Sequence, residues 1–197
     1  MDCGLKPAAV VGHSFGELVA LCISGVLFLE NALEMIIGRA MAIRDIWSSD
    51  KGVMMAVEGD FSVVDQLLRQ INKPSAGDRV VIACYNGPRS FTLAGPSKSI
   101  DSVAEAISTK DSFSSIRSKR LNVTNAFHCI LVEDLREELE QVGRGLLFRQ
   151  PDIPIELATE SESSSLHSSS QYVTKHMRDP VYFNQKTGKA PSVVHLA

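Results

Sequence analysis

Residues 10–21, Val-Val-Gly-His-Ser-Phe-Gly-Glu-Leu-Val-Ala-Leu (VVGHSFGELVAL), decide how the chain folds. Ala8-Ala9-Val10-Val11 is a short apolar run, which predicts a buried strand. Glu17 to Ile23 predict a helix, with Glu17 in the first turn where a negative charge suits the helix dipole. Gly12-His13-Ser14-Phe15-Gly16 turns the chain sharply between them. The pattern G-x-S-x-G in this setting is a nucleophile elbow. The glycines leave room around the serine, Ser14 Oγ stands above the sheet end, and the Phe15 N–H points where an oxyanion would form. The same five residues also suit a plain tight turn. A working serine needs a base and a substrate grip as well, so the rest of the chain must be searched for both.

Downstream, Ser24-Gly25 ends the first helix. A second helix is expected over about 30–48, where Ala32, Leu33, Ile36, Ile37, Ala40 and Ile43 recur at helical spacing. From residue 52 the period changes. Val53–Val57 is strand-like, Phe61–Ile71 helical, and Val80–Tyr85 a strand. Asn86-Gly-Pro-Arg-Ser90 makes a hairpin turn, Ser90–Ala94 the return strand, Ile100–Ile107 a helix and Ser118–Val123 a last strand. The order βαββαβ is ferredoxin-like. Residues 128–197 then return to the first lobe. A helix is expected over Val132–Leu146 with Leu135, Leu139 and Val142 on one stripe, Pro151–Leu157 is extended, 161–170 a serine-rich loop, and Tyr172–Met177 a short helix. A buried parallel strand has neighbours on both sides, and for Ala8–Val11 only downstream chain is at hand to supply them. The expected fold is therefore α/β, with a parallel-sheet lobe of the α/β-hydrolase type from 1–50 and 128–197 and an inserted ferredoxin-like lobe at 51–127.

With 44% hydrophobic and 22% charged residues and a formal net charge of -3, the chain can build a core and has no basic face for nucleic acid. Cys3, Cys22, Cys84 and Cys129 are scattered, with no pair at metal-ligand spacing. This argues against a metal site or disulfide frame and suits a reducing, cytoplasmic setting. Leu18–Leu29 is interrupted by Ser24-Gly25 and is too short to span a bilayer, and no secretory leader is read.

Among the histidines, His13 is expected to leave the turn away from Ser14 and pack. His167 falls in the serine-rich loop, His195 near a frayed end, and His176 ahead of Met-Arg-Asp-Pro-Val. His128, in Asn-Ala-Phe-His-Cys (125–129), follows a strand where the inserted lobe returns, a position that can face a cleft between lobes. Residue by residue, His128 reads equally as a satisfied core histidine, and Arg39 as a solvated arginine on the second helix.

Together GHSFGE (12–17), GRAMAI (38–43), NGPRSFTLAGP (86–96), NAFHC (125–129) and HMRDPVYFNQ (176–185) resemble the acyltransferase domains of polyketide and fatty acid synthases. The likeness is to malonyl-CoA:acyl-carrier-protein transacylases, above all those of fungal type I polyketide synthases, and covers roughly residues 5–185. It implies that Ser14 is acylated, that His128 is its base and that the Phe15 N–H is an oxyanion donor. It also implies that Arg39 pairs with the malonyl carboxylate, that Phe127 and Asn125 border the acyl group, and that a main-chain carbonyl at about His176 orients His128. Phe at position 127 is the residue of malonyl-preferring domains, where methylmalonyl-preferring ones carry Ser.

The implied reaction needs no metal or bound cofactor. Its substrates are malonyl-CoA and the phosphopantetheine of an acyl carrier protein, and its neighbours are other synthase domains such as a ketosynthase. Family domains carry a Gly-Gln-Gly segment ahead of the elbow and a Gly-Pro signature near the end. Neither occurs here, so the chain reads as shortened at both ends, with low stability and weak or no activity expected of it alone. The alternatives are an inactive fragment of a megasynthase and an α/β-hydrolase (esterase or thioesterase), whose triad would need a carboxylate on the histidine.

Overall fold

A computed structural model of the chain describes residues 7–47, 49–72, 79–158, 169–187 and 193–196. Among these residues seven strands and seven α-helices follow in the order β1 (Ala9–Gly12), α1 (Phe15–Ile23), α2 (Leu29–Ile46), β2 (Val53–Glu58), α3 (Phe61–Ile71), β3 (Val81–Gly87), β4 (Ser90–Gly95), α4 (Ser97–Thr109), β5 (Arg117–Arg120), α5 (Arg136–Arg144), β6 (Ile155–Glu156), α6 (Ser169–Arg178), α7 (Phe183–Thr187) and β7 (Val193–Leu196). The fold is mixed α/β with one parallel and one antiparallel sheet.

The parallel sheet runs β6-β1-β7, so β1 takes both neighbours from downstream chain. Its apolar residues Val10 and Val11 are buried, as expected of a central parallel strand. The position of His195 is not a frayed end: its backbone lies in β7, opposite Val11. The antiparallel sheet runs β3-β4-β2-β5, with the β3–β4 hairpin turning at Pro88-Arg89. β2 and β4 present Met55, Val57, Phe91 and Leu93 to one face. There α3 packs Val64 and Leu67, α4 packs Ile100 and Val103, and Phe113 closes the layer. α1, α2, α5 and α6 share a second core around Leu18, Leu21, Met35, Leu139 and Met177.

The two sheets are stitched by a few backbone bonds. Val181 and Tyr182, after α6, bridge them: Val181 N–H donates to Ala83 O at 2.9 Å, Tyr85 N–H to Val181 O at 2.7 Å, and Tyr182 N–H to Ala158 O at 2.6 Å. Small residues at the seam (Ala83, Cys84, Ala126, Cys129, Ala158) let the layers approach. The two strands of chain crossing between the sheets are also bound together, Ala126 N–H to Lys51 O at 2.8 Å.

Several elements differ from the sequence expectations. On α2 the core face is Ala32, Met35 and Ala42, whereas Leu33 and Ile37 are half exposed. They fall in a row with Leu29 and Met41, four residues apart, turned away from α5 and the core. β5 stops at Arg120 instead of Val123. Among the described residues it is a charged edge strand paired only with β2, and one further bond, Leu121 N–H to Met54 O at 2.9 Å, ends the pairing before the chain leaves the sheet. The helix expected from Val132 opens as a 3-10 turn over Ile130–Leu135 and becomes α-helical only at Arg136. Pairing in 151–157 is confined to Ile155–Glu156. Ser169 and Ser170 begin α6, while 161–168, with His167, lie outside the described residues. Among the described residues no helix is long and apolar enough to cross a membrane.

Gly52 sits at the crossing with φ +69, and a Cβ there would meet Leu131 Cδ1 at 2.5 Å, Ala126 Cβ at 2.6 Å and Gly95 O at 2.8 Å. Gly52→Ala therefore combines a left-handed backbone with a seam that has no room. Urea denaturation of the variant should show a loss of about 2–3 kcal/mol. An unchanged midpoint would mean that the seam can yield.

Candidate active site

The elbow has the shape its glycines allow. Ser14 lies at φ 50, ψ -116, a region that a side-chain-bearing residue occupies only under constraint, at a cost on the order of 1–3 kcal/mol. Gly16 N–H donates to His13 O and Glu17 N–H to Ser14 O, both at 2.9 Å. A Cβ on Gly12 would overlap the backbone of Gly16 and Glu17, so only glycine lets β1 and α1 meet this closely. Phe15 opens α1, so its N–H has no acceptor within the helix and belongs to the positive end of the helix dipole.

His128 also has a left-handed backbone, φ 57. Its N–H donates to Met177 O at 2.8 Å, which ties it to α6. Ser14 Oγ lies 2.8 Å from His128 Nε2, and Asp179 O lies 2.9 Å from Nδ1. A carbonyl only accepts, so Nδ1 carries the proton and Nε2 offers its lone pair to the serine hydroxyl. Burial lowers the His128 pKa to about 4, with His13 and Arg39 adding to the effect against the Asp179 carbonyl, so the ring is neutral at pH 7. The orienting carbonyl is that of Asp179, not His176 as expected. At the end of α6 the Asp179 N–H still bonds Lys175 O, and its own carbonyl, past the last helical residue, turns to the imidazole.

Ser14, Phe15, Phe127, His128 and Met177 share a cavity of about 280 Å³ with Ile36, Arg39, Ala40 and Ile43 of α2. Part of the apolar row read on the second helix thus lines a cavity, with Ile36 and Ile43 also packing at the edge of the core. Arg39 is half-buried on its wall, and burial lowers its pKa to about 10, so it stays charged at neutral pH. Trp47 packs edge-on against Phe127, ring centroids 5.5 Å apart. Asn125 is buried but does not line the cavity, and its Nδ2 has no partner among the described residues. His13 turns away from Ser14 and bonds Asn86 Oδ1 at 2.7 Å.

Glu17 and Tyr172, which sequence reading left out of the site, are joined to it, and His176 enters it in a way other than expected. Glu17 is buried at 1% exposure: Ala158 N–H donates to Oε2 at 2.8 Å and Tyr172 O–H to Oε1 at 2.7 Å. Burial raises its carboxyl to a pKa of about 7, against those two bonds and Lys186. His176 is buried as well, and its side chain, not its carbonyl, is engaged: Nε2 lies 2.9 Å from Ser14 O and Nδ1 3.3 Å from Arg39 Nη1. Tyr172 and His176 stand four apart on α6, a spacing that puts both on the face turned to the elbow. That spacing was open to view in the sequence. Among the described residues no group of three or more His, Cys, Asp or Glu could hold a metal ion.

A histidine-activated serine on an elbow, beside an arginine in an apolar cavity, can attack a carbonyl while gripping a carboxylate. Residues 2–196 match a family described as acyl transferase domain. The chain is 57% identical over 185 residues to the non-reducing polyketide synthase pigA of Monascus ruber, which covers 93% of this chain and 7% of the relative. It therefore spans a small fraction of the curated relatives it matches. Among solved structures, the acyltransferase domain of phenolphthiocerol/phtiocerol synthase A from Mycobacterium bovis (BCG) superimposes with a TM-score of 0.81 at 25% identity, over 98% of this chain and 72% of that one. MCAT from Streptococcus pneumoniae shares the fold, with a TM-score of 0.83 at 24% identity over 98% of this chain and 64% of that one.

Glu17 supplies a test of the buried framework. Its folded-state pKa of about 7 lies above the ordinary 4.5, so the stability linked to it is full below pH 4.5 and lost as pH rises through about 7. Glu17→Gln can still accept from Ala158 N–H and donate to Tyr172, and should flatten that part of the stability profile while keeping the fold. Glu17→Ala strands two buried donors and should cost about 3 kcal/mol at any pH. Denaturant titrations between pH 4 and 8 read both, and parallel wild-type and Gln profiles would refute the assignment.

Proposed function

The chain belongs to the acyl transferase domain family, and from that premise we propose that it moves a malonyl group from malonyl-CoA, through an ester on Ser14, to the phosphopantetheine thiol of an acyl carrier protein. The observation that carries this reading is the 2.8 Å Ser14–His128 bond inside a cavity whose one charged wall residue is Arg39. A carboxylate entering the cavity meets the guanidinium, which can hold it by two parallel hydrogen bonds. That grip brings the thioester carbonyl towards Ser14 Oγ.

His128 Nε2 takes the hydroxyl proton as Oγ bonds to the carbonyl carbon. The oxyanion forms against the Phe15 N–H and the start of α1. Collapse breaks the carbon–sulfur bond, and the leaving CoA sulfur takes the proton back from His128. The carrier thiol then gives its proton to His128, attacks the ester carbonyl and displaces Ser14, which recovers that proton. Because His128 leans on the Asp179 carbonyl instead of a carboxylate, hydrogen bonding orients the base without a third charged group. The apolar lining from Ile36, Ile43, Phe127 and Met177 keeps water from the ester.

The finer fold reading follows the same line. The succession β2-α3-β3-β4-α4-β5 with sheet order β3-β4-β2-β5 supports a ferredoxin-like lobe at 51–127 set into an α/β-hydrolase-like lobe of 1–50 and 128–197. The expected partners are a carrier protein and other polyketide synthase domains, a ketosynthase among them, in the cytoplasm. No metal or cofactor enters the steps.

Intact-mass measurement after mixing with malonyl-CoA tests the reading. A malonyl adduct should form and be absent in Ser14→Ala, and His128→Ala should slow its formation by about 100- to 10,000-fold. With a base of pKa about 4, the rate should hold from pH 7 downward and fall only as pH drops through about 4. An acid limb centred near pH 6.5 would contradict the buried neutral histidine. Phe127→Ser should open space for a methyl branch and shift the malonyl-to-methylmalonyl ratio by about 10- to 200-fold. No change in that ratio would remove Phe127 from the acyl pocket.

A further inference from the structure

We infer that the His176 side chain is the positioning residue of the carboxylate clamp, holding the Arg39 guanidinium and the Ser14 backbone in one frame through its two ring nitrogens. This rests on the malonyl reading of the cavity.

The hydrogen-bond roles follow from which groups can donate. Arg39 has only donors, so at 3.3 Å its Nη1–H must point at a lone pair on His176 Nδ1. Ser14 O has only lone pairs, so at 2.9 Å it must receive the proton of His176 Nε2. Both bonds are satisfied together only by the neutral ring carrying its proton on Nε2. This is the opposite tautomer to that of His128, whose proton is on Nδ1. The two rings lie edge to face, 6.5 Å between centroids. The ring of Tyr172, one helical turn earlier and anchored on Glu17, lies 5.6 Å from that of His176 and backs it.

Two consequences bear on the reaction. Ser14 O accepts from both Glu17 N–H and His176 Nε2–H, so His176 helps hold the elbow in its left-handed turn. The residue that steadies Arg39 is also a neutral acceptor and not a carboxylate, and among the described residues Arg39 makes no ion pair. An internal carboxylate would aim the guanidinium but neutralise it. An imidazole aims it and leaves its charge for the incoming acyl carboxylate.

Three variants of the full chain test this: His176→Gln, which can accept from Arg39 and donate to Ser14 O; His176→Phe, which keeps a ring but neither bond; and Arg39→Ala. Each is scored by Ser14 acylation with malonyl-CoA and with acetyl-CoA, which lacks the carboxylate. Arg39→Ala should lose the malonyl preference by about 100-fold or more. His176→Phe should lose at least about tenfold of it, mostly as a raised KM for malonyl-CoA, and His176→Gln should stay within about threefold of wild type. A folded His176→Phe that slows both substrates equally would overturn the proposal in favour of a plain packing role. Nitrogen-15 NMR of labelled histidines gives a readout that needs no turnover. His176 should appear neutral with its proton on Nε2, and its Nδ1 signal should move in Arg39→Ala. A proton on Nδ1, or a charged ring at pH 7, would overturn it. Wild type that takes no malonyl group on Ser14 would sink the malonyl reading, while the NMR experiment would still decide the His176–Arg39 bond.

Discussion

The strained turn at Ser14 is the constraint on which the rest of the molecule depends. With φ 50 the residue cannot hold its conformation on local preference, and every element near it contributes a restraint. Gly12 lets β1 and α1 meet closely, Glu17 N–H and His176 Nε2–H share the Ser14 carbonyl, and His128 takes the hydroxyl. The seam between the sheets serves this turn. Val181 and Tyr182 fix the end of α6, and α6 with the residues just after it delivers Tyr172, His176, the Met177 carbonyl and the Asp179 carbonyl to one place.

Burial sets the electrostatics of the site in one direction. It lowers the pKa of both histidines, raises that of Glu17 to about 7 and raises that of Tyr172. Each of these groups is pushed towards its neutral form because a charge in a dry, packed region loses its hydration. Arg39 alone has a pKa far enough from neutrality to stay charged there, at about 10 after lowering. The cavity is left with a single positive charge and apolar walls. On the proposed function, a bound carboxylate has one place to go, and His128 beside it is ready to accept a proton. The same neutral background keeps His128 and His176 from competing with Arg39 for an anion.

Much of this was legible in the order of residues. The elbow was visible because two glycines around a serine, between an apolar run and a helix, leave few conformations open. The alternation of periods over 53–120 was strong enough to place β2, α3, β3, β4 and α4 within a few residues. The shortfalls were at edges and faces. β5 was read too long because its pattern cannot tell where an edge strand leaves its partner. The apolar row of α2 could not say which residues meet a core, which a cavity and which neither. The role given to the carbonyl of His176 belongs to that of Asp179, three residues along, because the position depends on where α6 frays.

The sequence by itself determined the local shapes: a turn that only glycine-flanked residues can make, helices of set period, and the residue types able to attack, accept a proton or bind an anion. Those follow from bonded geometry and spacing along the chain. Only the tertiary structure decided which of these groups meet. Ser14 and His128 are separated by 114 positions and Arg39 and His176 by 137. The tautomers of the two histidines depend on carbonyls and a guanidinium brought up by other elements, and the raised pKa of Glu17 depends on its burial beside Ala158 and Tyr172. Hydrogen bonds and desolvation act over a few ångströms in space, so the chemistry of the site is settled where the chain returns to itself.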